Sequence, residues 1–182
     1  YVAHSSEGGH ADFAPTDERQ IRLLQYLLKR FDHVSIERVC SGIGLPNIYE
    51  YLRDIEHVPE NPEVAQLIAS AKDRSVVITN AAIDPHHPSE LCTATVDTFV
   101  SILASEAANV ALKVLATGGI YLAGGIPLRM LRILQGPRFI ESFKRKGRFE
   151  ELMERIPVHV ILTRAALVGA AAYGLESFKE ES

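Results

Sequence analysis

Cysteine is scarce in this sequence. Cys40 and Cys92 are the two it has, far apart and in no Cys-x-x-Cys pattern. That rules out a disulfide scaffold and fits a reducing, cytoplasmic compartment. Positive charge is in deficit as well: the formal net charge of -4 argues against a general nucleic-acid binder. No apolar run reads as a membrane span and no signal peptide is visible, so no membrane partner is expected. Internal repeats, low-complexity tracts and coiled-coil seams are absent. The first residue is Tyr1, not Met, and a polar glycine motif follows within a few residues, so a piece of a longer protein is expected. What remains is an ordinary globular profile, 47% apolar and 23% charged over 182 residues, enough for one large domain with a sizeable core.

The chain is organised around Leu115 to Met130. A short apolar run, Ile120 to Ala123, lies between the pairs Gly118-Gly119 and Gly124-Gly125. Bounded by breakers and rich in β-formers, it predicts a buried strand. Ile126-Pro127 and an apolar helical pattern follow the second pair, and proline is at no disadvantage in a first helical turn. Strand, glycine turn and helix in succession let a flat ligand lie against bare backbone. A tight turn with no ligand is the alternative on pattern alone.

Residues 5–15 place Glu7 and His10 on either side of Gly8-Gly9. A carboxylate and an imidazole converging on one point suit a polyhydroxylated ligand, and a polar surface turn is the plain alternative. Thr16 is the expected N-cap of a helix with Ile21, Leu24, Leu27, Leu28 and Phe31 as its buried stripe. His33-Val34 reads as a short strand, and Ser35 as the cap of a helix from Ile36 to Cys40. In that helix Glu37 is either a helix-dipole partner or a second carboxylate facing the cleft of Glu7.

Ser41 to Leu45 starts a helix with Ile48, Tyr49 and Leu52 inward. Further helices are predicted over 62–72 and 76–84. Pro85-His86-His87-Pro88 reads as a solvated turn, with no carboxylate or cysteine to complete a metal site. Ser89 caps the longest helix, to about Ala116, with Val96, Phe99, Leu103, Ala107, Val110 and Val114 as its stripe and the sheet as its neighbour. Helices at 127–134 and 138–144 lead to the basic run Lys144-Arg145-Lys146-Gly147-Arg148. That run reads as an exposed loop in preference to a phosphate patch. A helical turn at 149–155, a buried strand at 158–162 and a last helix at 164–178, packed closely through its small face, complete the reading. Residues 179–182 are expected to fray. Few strands among many helices, alternating, make an α/β layer.

Several segments resemble the bacterial ATP-dependent glucokinase family: Glu-Gly-Gly-His-Ala-Asp-Phe-Ala-Pro at 7–15, Val-Ser-Ile-Glu-Arg-Val-Cys-Ser-Gly-Ile-Gly-Leu at 34–45, and Gly-Gly-Ile-Tyr-Leu-Ala-Gly-Gly-Ile at 118–126. Lys-Gly-Arg-Phe at 146–149 followed by Ile-Pro-Val at 156–158 is a fourth. The resemblance implies an α/β chain, helix-rich with a small sheet, over residues 1–182. It would be the large C-terminal lobe of an actin-like, ribonuclease H-like ATPase fold. It implies that Glu7, His10 and Glu37 bind glucose hydroxyls, that Gly124 and Gly125 lie by the adenosine of ATP, and that Gly169 lies where the last helix packs near it. The family's phosphate-binding glycine loops and its Asn-Asp pair, whose aspartate is the presumed base, have no counterpart in these residues. No catalytic residue and no metal ligand are therefore expected in this chain, and Mg2+ would be held mainly by the absent lobe. A homodimer is the expected assembly. The related repressor group with a cysteine-rich zinc motif is disfavoured, because two isolated cysteines cannot supply it.

Overall fold

The computed structural model describes residues 4–163 and 165–180. The strand-like Val2-Ala3, the predicted helix start at Arg164, and Glu181 and Ser182 lie outside the described residues. The described helices are α1 (Glu18–Leu28), α2 (Gly44–Asp54), α3 (Pro62–Ser70), α4 (Arg74–Ile83), α5 (Glu90–Val114), α6 (Gly125–Arg129), α7 (Leu131–Leu134), α8 (Pro137–Lys144), α9 (Glu150–Glu154) and α10 (Ala165–Glu180). Two strands, β1 (Ile120–Leu122) and β2 (Val158–Val160), pair in parallel, with Tyr121 opposite His159. The result is a helix-rich domain with a small parallel sheet.

Helix α5 is the axis. Ser89 caps it, its hydroxyl oxygen accepting from the Cys92 N–H at 3.3 Å. Leu91, Val96, Phe99, Val100, Ile102, Ala104, Ala108 and Ala111 are all buried. Its main neighbours are α8, α2 and α4, so helices cover it where the sequence predicts the sheet. The small residues let those helices approach from several sides, which uses up the face a partner copy would need. Val110 and Val114, expected in the stripe, are exposed: the last turn overhangs its neighbours and ends on Leu115 in the left-handed region (φ 49°). By length and apolarity α5 is enough to cross a membrane, but 67% of that window is buried inside the fold. It is a core helix that passes the same test.

In α1 the predicted stripe holds in part: Leu27 is buried, and Leu24 and Phe31 are half-buried against the core. The face is turned at its edge, where Leu23 and Gln20 are buried and Ile21 (48%) and Leu28 (51%) are exposed. The cap explains the turn. Asp17, not Thr16, caps α1 and accepts from the Gln20 N–H at 2.9 Å. The buried Gln20 side chain is satisfied by Asp17 Oδ2 and by the Thr16 N–H and hydroxyl. In α2, Ile48, Tyr49 and Leu52 are buried as predicted.

Smaller differences lie in the turns and in the last helix. His33-Val34 forms no strand; a single antiparallel bridge joins Asp12 to Ser35. Ser35 donates no cap, and the turn after it is a 3-10 helix, Ile36–Arg38. The predicted helix at 127–134 is two, α6 and α7, broken at Met130 (φ -94°, ψ 9°). At 85–88 a carboxylate does stand by the histidines: Asp84 accepts from the His86 N–H at 2.8 Å and lies 3.2 Å from His87 Nδ1. Helix α10 extends past Phe178, so residues 179–180, expected to fray, are helical. Its predicted close packing is not seen: Leu167, Val168 and Leu175 are about two-thirds exposed, and Gly169 faces open space.

Candidate functional site

The segment carrying Glu7 and His10 is a 3-10 turn, Gly8–His10, with Glu7 at its N-cap. The Gly8 N–H donates to Ser6 Oγ at 3.1 Å, and the His10 N–H to the Glu7 carbonyl at 2.9 Å. The chain then runs alongside the Glu37 segment. Phe13 N–H donates to the Val34 carbonyl at 3.0 Å and Ile36 N–H to the Ala11 carbonyl at 2.8 Å. These bonds set the two 3-10 turns side by side, so Glu7, His10 and Glu37 sit on neighbouring turns, all three exposed. The His10 and His33 rings are 6.2 Å apart, and His33 Nε2 lies 2.8 Å from Asp12 Oδ1.

The Glu37 turn is held from below. Ser41 donates its hydroxyl to the Glu37 carbonyl at 2.7 Å, while its oxygen takes the Ile43 and Gly44 N–H groups at 3.2 and 3.3 Å. One serine thus closes this turn and takes the first N–H of α2, whose N-cap position is Ile43. Asn47 Nδ2 donates to the Arg38 carbonyl at 2.8 Å, and the Arg38 guanidinium lies 4.2 Å over the Phe31 ring. At Gly44 a Cβ would stand 2.5 Å from the Val39 carbonyl carbon, so only glycine fits between this turn and α2.

Glu37 also lines an open groove of about 600 Å³ with Ser41, Gly42, Ile43 and Pro46; Lys72, Asp73 and Arg74 form its other wall. Glu7 and His10 are not among its lining residues. Hydrogen bonds from Ser75 hold the Asp73 carboxyl below the usual range, with a further pull from Arg129. Arg74 is tied to Glu50 at 2.8 Å, whereas Lys72 has no ion-pair partner among the described residues. Burial pushes the Glu50 carboxyl up, but bonds from Arg30 and Arg74 outweigh it and leave it below its ordinary value.

The second candidate is the strand–glycine–helix turn. Gly119 (φ 124°) starts β1 so close to the Pro157 carbonyl that a Cβ would stand 3.0 Å from its oxygen. After β1, Gly124 takes φ 104° and ψ -178°, a conformation side-chain-bearing residues resist, and nothing lies within 4 Å of where its Cβ would be. That leaves the approach to the backbone open. A Cβ on Gly125 would stand 3.2 Å from Arg129 Nη1, so the guanidinium folds back over the turn that opens α6. Arg129 Nε is buried with no partner among the described residues. Arg129 and Lys72 are cations that the sequence reading passed over. The one available signal was Arg129 lying four residues beyond Gly125.

No group of three or more metal-ligating side chains occurs among the described residues, so no residue here is assigned to Mg2+.

Comparison with known proteins gives these features a family. The glucokinase family profile matches residues 1–177. The glucokinase of Nostoc punctiforme is 41% identical over 94% of this chain and 53% of its own length. That of Neisseria gonorrhoeae is 40% identical over 94% and 49%. Among solved structures, a crystal structure of a glucokinase from an Antarctic psychrotroph superposes with a TM-score of 0.74 at 34% identity, covering 92% of this chain and 49% of that one. The chain thus spans about half the length of these curated relatives. Matched by that profile over residues 1–177, this chain belongs to the glucokinase family.

Proposed function

We propose that the protein of which this chain is the C-terminal large lobe transfers the γ-phosphoryl group of ATP to the 6-hydroxyl of glucose. The observation that carries this reading is the pairing of the two 3-10 turns, which brings Glu7 and His10 beside Glu37 in a glucokinase-family chain. Two carboxylates accept from sugar hydroxyls and the imidazole donates or accepts. The Gly124-Gly125 turn admits the adenosine. Phosphoryl transfer is chiefly positioning and charge stabilisation. The base, the phosphate cradle and the groups facing Mg2+ come from the actin-like partner lobe. Loss of a base alone costs about 10²- to 10⁴-fold, so the chain by itself is essentially inactive.

The test is calorimetric titration of this chain with glucose, with Glu7→Gln as control, beside a turnover assay with ATP. Binding that Glu7→Gln removes, without turnover, is the expected result. Robust turnover in the pure chain contradicts the division of labour, and glucose binding unchanged in Glu7→Gln contradicts the site. A non-catalytic sugar-binding or dimerisation module is the other reading. The exposed apolar residues of α10 favour an interface there, since α5 is covered, and a homodimer of the whole protein would use such a surface.

A further inference from the structure

We propose that Arg129 holds the phosphate chain of the nucleotide, so that this chain adds one contact of its own to the cradle supplied by the partner lobe. The inference rests on the reading that puts adenosine at the Gly124-Gly125 turn.

The position of Arg129 carries it. Arg129 is the last residue of α6, and its Nη1 folds back to 3.2 Å from where a Gly125 Cβ would stand. Its guanidinium thus borders the backbone that Gly124 leaves open. The same charge reaches the other way, because Arg129 helps to hold the Asp73 carboxyl below its usual range at the N-cap of α4. Asp73 lies in one wall of the groove that Glu37 lines from the other. Arg129 therefore stands at the boundary between the glycine turn and the Glu37 groove. A nucleotide with its base on the turn and its last phosphoryl group aimed at a sugar beside Glu37 has to carry its phosphates across that boundary.

Hydrogen bonding marks Arg129 out from the other arginines. Arg22, Arg30, Arg53, Arg74 and Arg138 each meet a carboxylate at 2.7 to 3.1 Å. Arg129 has no ion pair among the described residues, and its Nε is buried without an acceptor. Asp73 does not take it: Asp73 Oδ1 accepts from the Ser75 N–H at 3.0 Å and from the Ser75 hydroxyl at 2.6 Å. A buried donor left unpaired is costly, so this pose over Gly125 is disfavoured until an acceptor arrives. Turning the head off Gly125 toward the groove lets Nε and one Nη donate together. That planar fork matches two oxygens of a phosphate, and phosphate oxygens only accept. A sugar hydroxyl or a ring nitrogen would fill one bond and leave the charge unmet. The other charges of the groove are Glu37, Asp73, Lys72 and Arg74. Arg74 is tied to Glu50, and Lys72, unpaired among the described residues, offsets Asp73.

The test is calorimetric titration of this chain with adenosine and, separately, with ADP, at constant ionic strength and without a divalent cation. ADP carries the phosphate chain and cannot turn over. Adenosine is expected to bind, and ADP to bind about tenfold or more tighter. Arg129→Met keeps the stem and removes the fork. It abolishes the ADP advantage and leaves adenosine affinity and Tm as they were, since the guanidinium makes no ion pair within the fold. Arg129→Lys restores the charge without the fork and recovers part of the advantage. Arg138→Ala removes a charge of the same sign where it pairs with Asp97, and leaves both affinities unchanged. ADP binding no tighter than adenosine, or an advantage that survives Arg129→Met, overturns the proposal and leaves the adenosine reading standing. Loss of adenosine binding together with a lowered Tm in Arg129→Met makes the arginine structural and overturns the proposal as well. Binding of neither ligand to the parent chain overturns both readings.

Discussion

Gly44→Ala is the substitution on which the geometry bears hardest. The added Cβ would stand 2.5 Å from the Val39 carbonyl carbon, 2.8 Å from its Cα and 3.0 Å from its oxygen. Carbon atoms pack at about 3.5 Å or more, so relief requires a separation of about 1 Å between the Glu37 turn and the start of α2. Neither side yields easily. Leu45, Ile48 and Leu52 anchor α2 in the core, and Ser41 and Asn47 tie the turn to it. Overpacking of this kind costs about 1–3 kcal/mol. With backbone on the receiving side, about 3 kcal/mol is expected, which for a chain of this size lowers Tm by roughly 6–12 °C. Thermal unfolding followed by circular dichroism measures it. Gly9→Ala is the control: nothing lies within 4 Å of its Cβ position, and the effect stays within about 0.5 kcal/mol. Because the clash is with backbone atoms, adding Val39→Ala does not rescue the variant. A Tm for Gly44→Ala within about 1 °C of the parent, or rescue by Val39→Ala, would refute the reasoning. On the glucose reading proposed above, affinity for glucose falls with it, because Glu37 rides on the displaced turn.

Glu50 accepts from Arg30 and Arg74 at 2.7 and 2.8 Å and joins α2 to α4 and to the turn that follows α1. Its pKa is lowered from 4.5, so its contribution is complete above that value and is lost as pH falls through the folded pKa. Glu50→Gln is expected to cost about 1–2 kcal/mol at pH 7, and denaturant titrations should show the gap closing under acid. Burial pushes the Cys40 thiol up to about 12 and raises that of Cys92; neither should react with a maleimide at pH 7.5 until denaturant is added. Leu23→Ala should destabilise by about 2–5 kcal/mol while Ile21→Ser changes little. A reversal of that order would restore the face predicted from periodicity alone.

Much of this fold was legible because periodicity and punctuation agreed. Ile48, Tyr49 and Leu52 share a face at helical spacing and are buried, and β1 stands between its two glycine pairs. Elsewhere polar groups overrode the pattern. In α1, a buried glutamine satisfied by its own cap took a core place that periodicity gave to Ile21 and Leu28, while Leu27 kept its own. In α5 the stripe was read past the point where neighbouring helices stop. At the candidate site, the residue types at 7, 10 and 37 were visible in sequence, but their adjacency depends on the Asp12–Ser35 bridge, which no local pattern announces. Arg129 was missed because its relation to Gly125 comes from a side chain folding back along α6.

The two strands raise a practical matter. Each of β1 and β2 pairs only with the other among the described residues, so the sheet has two outer edges with backbone groups pointing away from any partner strand. Three-residue strands are too short to be strong templates. Even so, a concentrated solution of this chain offers those edges to one another, beside the uncovered apolar residues of α10. Self-association that grows with concentration and eases when the edges are charged is the behaviour to plan for in any preparation of it.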